Sequence, residues 1–179
     1  MPTDFSLAQT IAKDVNLASV TLYSTDLDSR LDPLHPPAEL QLDHGYRARY
    51  ELRPSAPEHV YVFVDFKFEA APGQEPEEPA PQPTLWLTAT YLAIYELPSA
   101  HERDQTALQY FAQLNGTYNI WPYWRELVQT VTGRVGLASY VVPVLRLQPT
   151  EVPEEGAKPA ATSARKRPAA RKRSVTAAK

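Results

Sequence analysis

Two stretches in the middle of the chain alternate strictly between apolar and polar side chains. Every second residue from Val60 to Phe68 is apolar, within the run VYVFVDFKFEA. Tyr46 to Arg53 alternates as cleanly and places three arginines and a glutamate on its second face. A period of two puts successive side chains on opposite faces of a β-strand, so both stretches are predicted to be strands. The segment RPSAPE between them indicates a hairpin connection.

Two further strands are predicted on either side of this hairpin in the sequence. Thr84 to Glu96 carries apolar groups on both faces. Asp14 to Thr25 is also strand-like, and its apolar phase slips between Leu17 and Val20, which indicates a bulge or a bend. We expect the four strands to form one antiparallel sheet.

After the fourth strand the apolar pattern changes to that of helices. The S-x-x-E spacing of Ser99 and Glu102 is typical of a capping box and predicts the start of a short helix. Gly116 stands where a left-handed helix end is expected. A main helix is predicted from Pro122 to about Thr132, because proline is tolerated in a first turn.

The chain is therefore predicted to be an α+β protein, with a four-stranded antiparallel sheet followed by a short helix and one main helix. The last apolar stretch, 140–147, contains Pro143 and is predicted to be at best an edge strand. Residues 1–150 are expected to form the folded domain.

Two segments depart from this globular pattern. Residues 71–83 hold five prolines and three glutamates, a composition that predicts a mobile acidic flap. Residues 151–179 are expected to be a disordered tail, because their few apolar groups cannot offset the entropy of ordering. The formal charge of −3 divides between an acidic body and a tail, from residue 156 onward, with eight basic residues and no acidic ones. The tail's basic clusters are Arg165, Lys166, Arg167, Arg171, Lys172 and Arg173.

Candidate chemistry for an enzyme is sparse in this sequence. The absence of cysteine excludes disulfides and thiolate metal sites, and the four histidines fall in four different segments, so no metal site is predicted. The six glycines match neither common phosphate-binding motif, and no cofactor is expected. No signal peptide or membrane-spanning run is recognisable, which favours a cytoplasmic protein.

The second faces of the central strands carry more large apolar groups than a solvated surface needs. Tyr61 and Phe63 lie there, together with Trp86, Leu92 and Ile94 on the neighbouring strand. A second copy of the chain or a bound apolar segment could cover them. The alternative is a sheet whose two faces are both covered by the chain's own helices and loops.

A motif around the main helix consists of Asn119-Ile120 followed by Pro122-Tyr123-x-Arg125-Glu126, and then of Arg134 and a small turn before the extended apolar stretch. This motif resembles that of the SecB family of export chaperones. The resemblance spans about residues 11–147 and is closer to the SecB-like proteins that act with toxin–antitoxin systems.

This resemblance implies an ATP-independent holdase that binds unfolded or preprotein chains in apolar grooves. It also implies a homotetramer, a dimer of dimers, that hands its clients to the SecA motor for export. A narrower form would serve a single client such as an antitoxin. The acidic body would attract positively charged client segments.

Six residues are predicted to contact clients, and three on the main helix are predicted to contact other subunits. The client-binding candidates are Tyr61, Phe63, Trp86, Leu92, Ile94 and Trp121. The assembly candidates are Arg125, Glu126 and Gln129.

The basic tail supports a different hypothesis, in which the protein binds nucleic acid or the ribosome. Lysines and arginines spaced by alanine and proline could neutralise several phosphates without reading sequence. The alternative is a tail that keeps the protein in solution or folds back on the acidic body.

Overall fold

The computed structural model describes residues 4–32, 34–35, 37, 39–73 and 83–146. They form a four-stranded antiparallel sheet and three α-helices, an α+β fold as predicted. The elements are α1 (Asp4–Ala12), β1 (Asn16–Ser29), β2 (Leu40–Arg53), β3 (Ala56–Pro72), β4 (Leu85–Glu96), a 3₁₀ turn (Ala100–Glu102), α2 (Gln105–Phe111), a π-helical turn (Ala112–Gly116) and α3 (Thr117–Arg134).

The sheet has the strand order β1-β4-β3-β2, so β3 and β4 are central and β1 and β2 form the edges. The β2–β3 hairpin is confirmed, with Tyr46 opposite Phe66 and Tyr50 opposite Val62. The predicted irregularity of the first strand is also confirmed, since its register shifts between Leu17 and Ser19. A bulge of this kind inserts one residue and increases the local twist.

The core lies between one face of the sheet and the helices. The even-numbered residues of β3 from Val60 to Ala70 are buried there, as are the odd-numbered residues of β4 from Leu85 to Tyr95. The ring of Trp124 on α3 stacks on Phe66, with 4.9 Å between the ring centroids. Close-packed aromatic pairs of this kind contribute about 1 kcal/mol beyond their buried area.

Two helix starts differ from the sequence prediction. The helix α1 was not predicted. The capping box is wrong, because Ser99 has a left-handed backbone with φ of 55° and its side chain caps nothing. Asp104 instead caps α2 by accepting a hydrogen bond from the Thr106 amide at 2.8 Å. Ser99 begins only a single 3₁₀ turn, and the chain is extended at Arg103 before α2.

The expected break at Gly116 is also absent. Gly116 has a right-handed helical backbone, with φ of −59°, and a π-helical turn joins α2 to α3 without interruption. Consequently α3 begins five residues before Pro122, which lies inside it. The end of α3 at Arg134 lies close to the predicted end at about Thr132, and Gly136 just after the helix adopts a φ of 86° that favours glycine.

After α3 the chain runs back along the helix without joining the sheet. Residues 140–146 form neither helix nor strand, although Val142 is fully buried. Of the predicted acidic segment 71–83, Ala71 and Pro72 extend β3 and pair with β2, contrary to our expectation. Residues 74–82 and the predicted tail lie outside the described part of the chain.

Candidate polypeptide-binding surfaces

Five of the six predicted client-binding residues lie together on the sheet face opposite the helices, here called the open face. On β3 and β4, Phe63 stands opposite Leu92, and Tyr61 stands opposite Ile94. Trp86 lies on the same face near the far end of β4, opposite Glu69. Tyr61, Leu92, Ile94 and Trp86 are all partly exposed. The alternation read from the sequence therefore brings these side chains to one surface.

Two arginines of β2 lie over aromatic rings of the open face. The guanidinium carbon of Arg49 is 4.3 Å from the centre of the Phe63 ring. That of Arg53 is 4.0 Å from the centre of the Tyr61 ring. A cation over an aromatic face gains about 0.5–1 kcal/mol at an exposed site. The alternation of β2 also places Arg47 on this face, opposite Asp65.

The side chains that cover Phe63 determine which groups of the open face a client could contact first. Phe63 is only 3 % exposed, because Arg49 covers it and Tyr23 of β1 packs edge-on against it, with ring centroids 5.5 Å apart. Tyr23 itself is 62 % exposed. Phe63 therefore serves as the support on which Arg49 and Tyr23 rest, and the reachable apolar groups are its neighbours.

Trp121, the sixth predicted residue, lies on the other side of the sheet. It is 6 % exposed and packs edge-on against Tyr46, with ring centroids 5.6 Å apart. Its indole Nε1 donates a hydrogen bond to the carbonyl oxygen of Pro143 at 2.9 Å. Trp121 thus joins the helix side of the sheet to the extended segment 140–146 and is not brought together with the other five.

The three predicted assembly residues follow one another along α3 and differ in their contacts. Arg125 is half-buried, and its Nε donates to the carbonyl oxygen of Val142 at 2.7 Å. Glu126 and Gln129 are exposed. Arg125 therefore has a clear role within the chain, while the other two side chains remain accessible to a partner.

A second apolar concavity, here called the edge groove, lies between β2 and the segment after α3. It has a volume of about 390 Å³. Its walls are Pro37, Leu40, Leu42, Phe68, Thr132, Gly136, Leu137, Ala138, Ser139 and Tyr140. The Phe68 ring at its base stacks on Tyr140, with centroids 5.7 Å apart.

Sequence reasoning missed the edge groove, although two signals pointed towards it. Leu40 and Leu42 continue the alternation of β2, and the apolar stretch after α3 is too irregular to complete a strand. Only the tertiary fold brings the two together.

Further apolar side chains are exposed on α3, on the segment after it and on β1. Tyr118 and Tyr123 lie on the outer surface of α3, and Val141 and Val144 lie on the extended segment. The strand β1 exposes Leu17, Leu22, Tyr23 and Leu27. Of these groups, Leu22 and Tyr123 line one pocket and are therefore neighbours. Adjoining exposed apolar groups are typical of a surface that contacts other chains.

A partly enclosed tyrosine lies between β1 and α3. The hydroxyl of Tyr91 donates to the carbonyl oxygen of Tyr123 at 3.1 Å, below a pocket of about 280 Å³ that Val20, Leu22 and Glu126 also line. Burial, and secondarily the nearby Glu126 carboxylate, raise the pKa of Tyr91 to about 12. The phenol of Tyr91 therefore stays neutral at physiological pH.

Two further observations limit the chemistry of the described residues. Among them, no three histidine, aspartate or glutamate side chains come together in a way that could hold a metal ion. None of the described helices combines the length and the apolar character that crossing a membrane requires.

The same fold occurs in a chaperone of known structure. The match is to the SecB-like chaperone Rv1957 of Mycobacterium tuberculosis, solved in complex with a ChAD peptide from the Rv1956 HigA1 antitoxin. The TM-score is 0.65, and the match covers 79 % of this chain and 98 % of Rv1957. The fold is that of a SecB-like chaperone. Since the two sequences are only 18 % identical, the likeness extends to the SecB-like fold and not to individual residues.

Other comparisons add little to the SecB-like fold. A protein of unknown function from Streptococcus agalactiae matches with a TM-score of 0.36 and 9 % identity, which is too low to support an argument. No protein-family model matches the sequence. No curated protein sequence matches it either.

Proposed function

We propose that this protein is an ATP-independent chaperone that holds unfolded polypeptides on the apolar surfaces of its sheet. One observation carries the proposal: the open face and the edge groove both present apolar groups to solvent on opposite sides of the same sheet. An extended client could contact both surfaces without any chemical step.

The energetics suit reversible holding. Burying one apolar side chain of a client contributes about 1.5–3 kcal/mol, and part of this is offset by the entropy of ordering the client. A few such contacts give an affinity that still allows release. The likeness of the fold to Rv1957, which was solved with a bound peptide, supports polypeptides as the partners.

The holdase activity is tested by the aggregation of an unfolded client at stoichiometric chaperone. We expect the full chain to slow light scattering from denatured citrate synthase. Replacing Leu92 and Ile94 together by threonine, which retains strand propensity, should weaken the effect. Leu34→Thr removes an exposed leucine between β1 and β2, outside both surfaces, and serves as the matched control. A wild-type protein that leaves aggregation unchanged contradicts the proposal.

The mode of assembly is a finer part of this proposal. We expect a homotetramer in which the exposed side chains of Glu126 and Gln129 contact other subunits, supported by the apolar groups exposed on α3 and β1. Multi-angle light scattering of the full chain measures the subunit number. A monomer at micromolar concentration contradicts it.

The identity of the client is a second finer part. We propose preproteins bound for the Sec pathway, delivered to SecA in the cytoplasm. A dedicated client such as an antitoxin is the narrower form, which the peptide in the Rv1957 complex favours. Mass spectrometry of proteins that co-purify with the full chain distinguishes a broad set of preproteins from one dominant partner. Binding of nucleic acid or the ribosome by the tail is tested by deleting residues 156–179.

A further inference from the structure

The arginines of β2 create a local positive charge on an otherwise acidic body. Arg47, Arg49 and Arg53 are spaced two or four residues apart, and two of them stack on Phe63 and Tyr61 as described above. With Leu92 and Ile94 opposite these rings on β4, they form what we call the arginine–aromatic patch. Directly opposed side chains in an antiparallel pair lie about 5 Å apart at Cβ, so charge and apolar surface are adjacent here.

The guanidiniums of this patch are only partly paired within the described part of the chain. Arg49 Nη1 is buried and has no hydrogen-bond partner there. Arg47 is exposed and forms no ion pair with any described residue. Arg53 has Glu51 at 3.5 Å, a long ion pair between two well-exposed side chains. Buried donors are normally paired, and because this nitrogen is enclosed, a client carboxylate would reach Arg49 through its other guanidinium nitrogens.

Carboxylates elsewhere on the open face do not supply an acceptor for Arg47 or Arg49. Asp65, opposite Arg47 in the register, accepts a hydrogen bond from Thr90 at 2.8 Å. Glu69 pairs with Lys67 at 2.9 Å. Neither carboxylate forms an ion pair with Arg47 or Arg49 in the described residues, and Asp65 keeps its negative charge opposite Arg47.

We propose that the arginine–aromatic patch selects extended client segments in which apolar residues are flanked by aspartate or glutamate. The apolar residues contact Tyr61, Leu92 and Ile94, and the client carboxylates bind the guanidiniums of Arg47 and Arg49. Arginine matches the two oxygens of a carboxylate, and a guanidinium partly shielded by an aromatic ring gains more from this pairing than a hydrated one. This inference rests on the proposed holdase function and specifies its client class.

A preference for acidic client segments is the opposite of what the net charge of the body predicts. An acidic body attracts basic segments at long range, and salt screens that effect beyond about 10 Å. Contacts within the patch act at a few ångströms and determine which segment stays bound.

A nucleic acid fits the same patch less well than a peptide. Aromatic rings and arginines could stack bases and contact phosphates. However, Asp43, Glu51, Asp65 and Glu69 lie along the same face, on the two strands that carry the patch. A continuous chain of phosphates would meet these carboxylates, whereas a peptide carries its few charges at chosen positions.

The test measures binding of three synthetic peptides to the full chain by fluorescence anisotropy with a neutral dye. The peptides share one apolar core and differ only in two flanking residues at each end, which are Glu, Gln or Lys. We expect the Glu peptide to bind about threefold to tenfold more tightly than the Gln peptide, and the Lys peptide to bind no more tightly. In the Arg47→Gln/Arg49→Gln variant the Glu-to-Gln affinity ratio should fall to about one.

Control variants separate the patch from general charge and from misfolding. Arg134→Gln removes one exposed positive charge at the end of α3 and should keep the ratio. Arg49→Lys keeps the charge without the planar fork and should reduce the ratio only in part. Thermal unfolding of each variant verifies that it is folded.

Several outcomes overturn the inference. It fails if the Glu peptide binds no better than the Gln peptide, if the ratio survives in the double variant, or if Arg134→Gln abolishes it equally. It also fails if an oligo(dT) strand displaces the Glu peptide at a lower concentration than unlabelled peptide does, which would indicate nucleic acid. In these cases, the holdase function still stands if the Gln peptide binds and the protein suppresses the aggregation of an unfolded client. If no peptide binds and aggregation is unaffected, both proposals fail.

Discussion

Gly116 and Val62 approach so closely that no side chain fits between them. A Cβ atom on Gly116 would lie 2.6 Å from Cγ1 of Val62, inside normal contact distance. Gly116 is buried in the π-helical turn that joins α2 to α3, and Val62 is fully buried in the middle of β3. The absence of a side chain at Gly116 therefore determines how closely the helices pack on the sheet.

Replacing Gly116 by alanine should destabilise the protein. The added methyl group forces Val62 or the helix to move, and overpacking of this kind costs about 1–3 kcal/mol. Alanine regains up to about 1 kcal/mol of helix propensity, so a net loss of roughly 1–2 kcal/mol is expected. Urea unfolding followed by circular dichroism measures it.

Gly133→Ala is the matched control for this substitution. A Cβ at Gly133, in the last turn of α3, would meet nothing within 4 Å. It should therefore stabilise the protein by up to about 1 kcal/mol through helix propensity. Combining Gly116→Ala with Val62→Ala should cost less than the sum of the two changes, because the smaller residue makes room. Equal, stabilising effects at both glycines would contradict the close approach.

Arg125 is expected to hold the extended segment that follows α3. Its hydrogen bond to the Val142 carbonyl involves a charged donor, and such bonds contribute about 1.5–3 kcal/mol. Arg125→Met keeps an unbranched apolar stem and loses the donor. Trypsin cleavage after the exposed Arg146 should then become faster at native conditions.

Glu126→Gln serves as the control on the neighbouring, exposed position. It should leave the cleavage rate after Arg146 unchanged. If Arg125→Met left that rate unchanged while it altered the subunit number, Arg125 would act in assembly, as the sequence predicted, and the intrachain bond would be secondary.

Two buried tyrosines make stability fall at high pH. Burial raises the pKa of Tyr91 and of Tyr95 to about 12, although a hydrogen bond from Asn119 lowers that of Tyr95 in part. In the unfolded chain a tyrosine ionises near pH 10. Their contribution to the free energy of unfolding is thus complete below pH 10. It is lost as the pH rises from about 10 through 12.

The free energy of unfolding should therefore decline with pH above 10, which urea titrations at pH 8, 10 and 11 measure. Replacing Tyr91 and Tyr95 by phenylalanine should make the decline shallower, whatever the variant loses at pH 8. Tyr118→Phe alters an exposed phenol on α3 and should leave the decline in place. If stability declined equally in the double variant, groups other than Tyr91 and Tyr95 would be the cause.

The strands were predictable because their signal is local. Alternation alone assigned Val60, Val62 and Val64 to one face and Tyr61 and Phe63 to the other, and the fold follows this assignment. A strand's period survives whatever packs against it.

The helix boundaries were less predictable because their signals are not local. Gly116 fits a helix end by its residue type, and only the position of Val62 reveals that it serves a close approach instead. Likewise, Trp121 belongs to the apolar stripe of the main helix. Its burial against Tyr46 depends on the order of the strands, which no single segment encodes.

The edge groove depends on one buried hydroxyl, and its loss is expected to loosen the groove wall. Thr132 Oγ1 donates to the Val128 carbonyl at 2.9 Å and accepts a hydrogen bond from the Tyr140 amide at 3.0 Å. Thr132→Val has nearly the same shape and leaves the Tyr140 amide without this acceptor, which costs about 1–3 kcal/mol.

Because Tyr140 lines the groove, hydrogen exchange of the Tyr140 amide should accelerate in Thr132→Val, and its protection, read by NMR, measures the effect. Thr130→Val makes the same chemical change two residues earlier on α3, where no wall of the groove depends on it. If both variants left the Tyr140 amide equally protected, the wall would be held by the stacking of Tyr140 on Phe68 rather than by the hydroxyl.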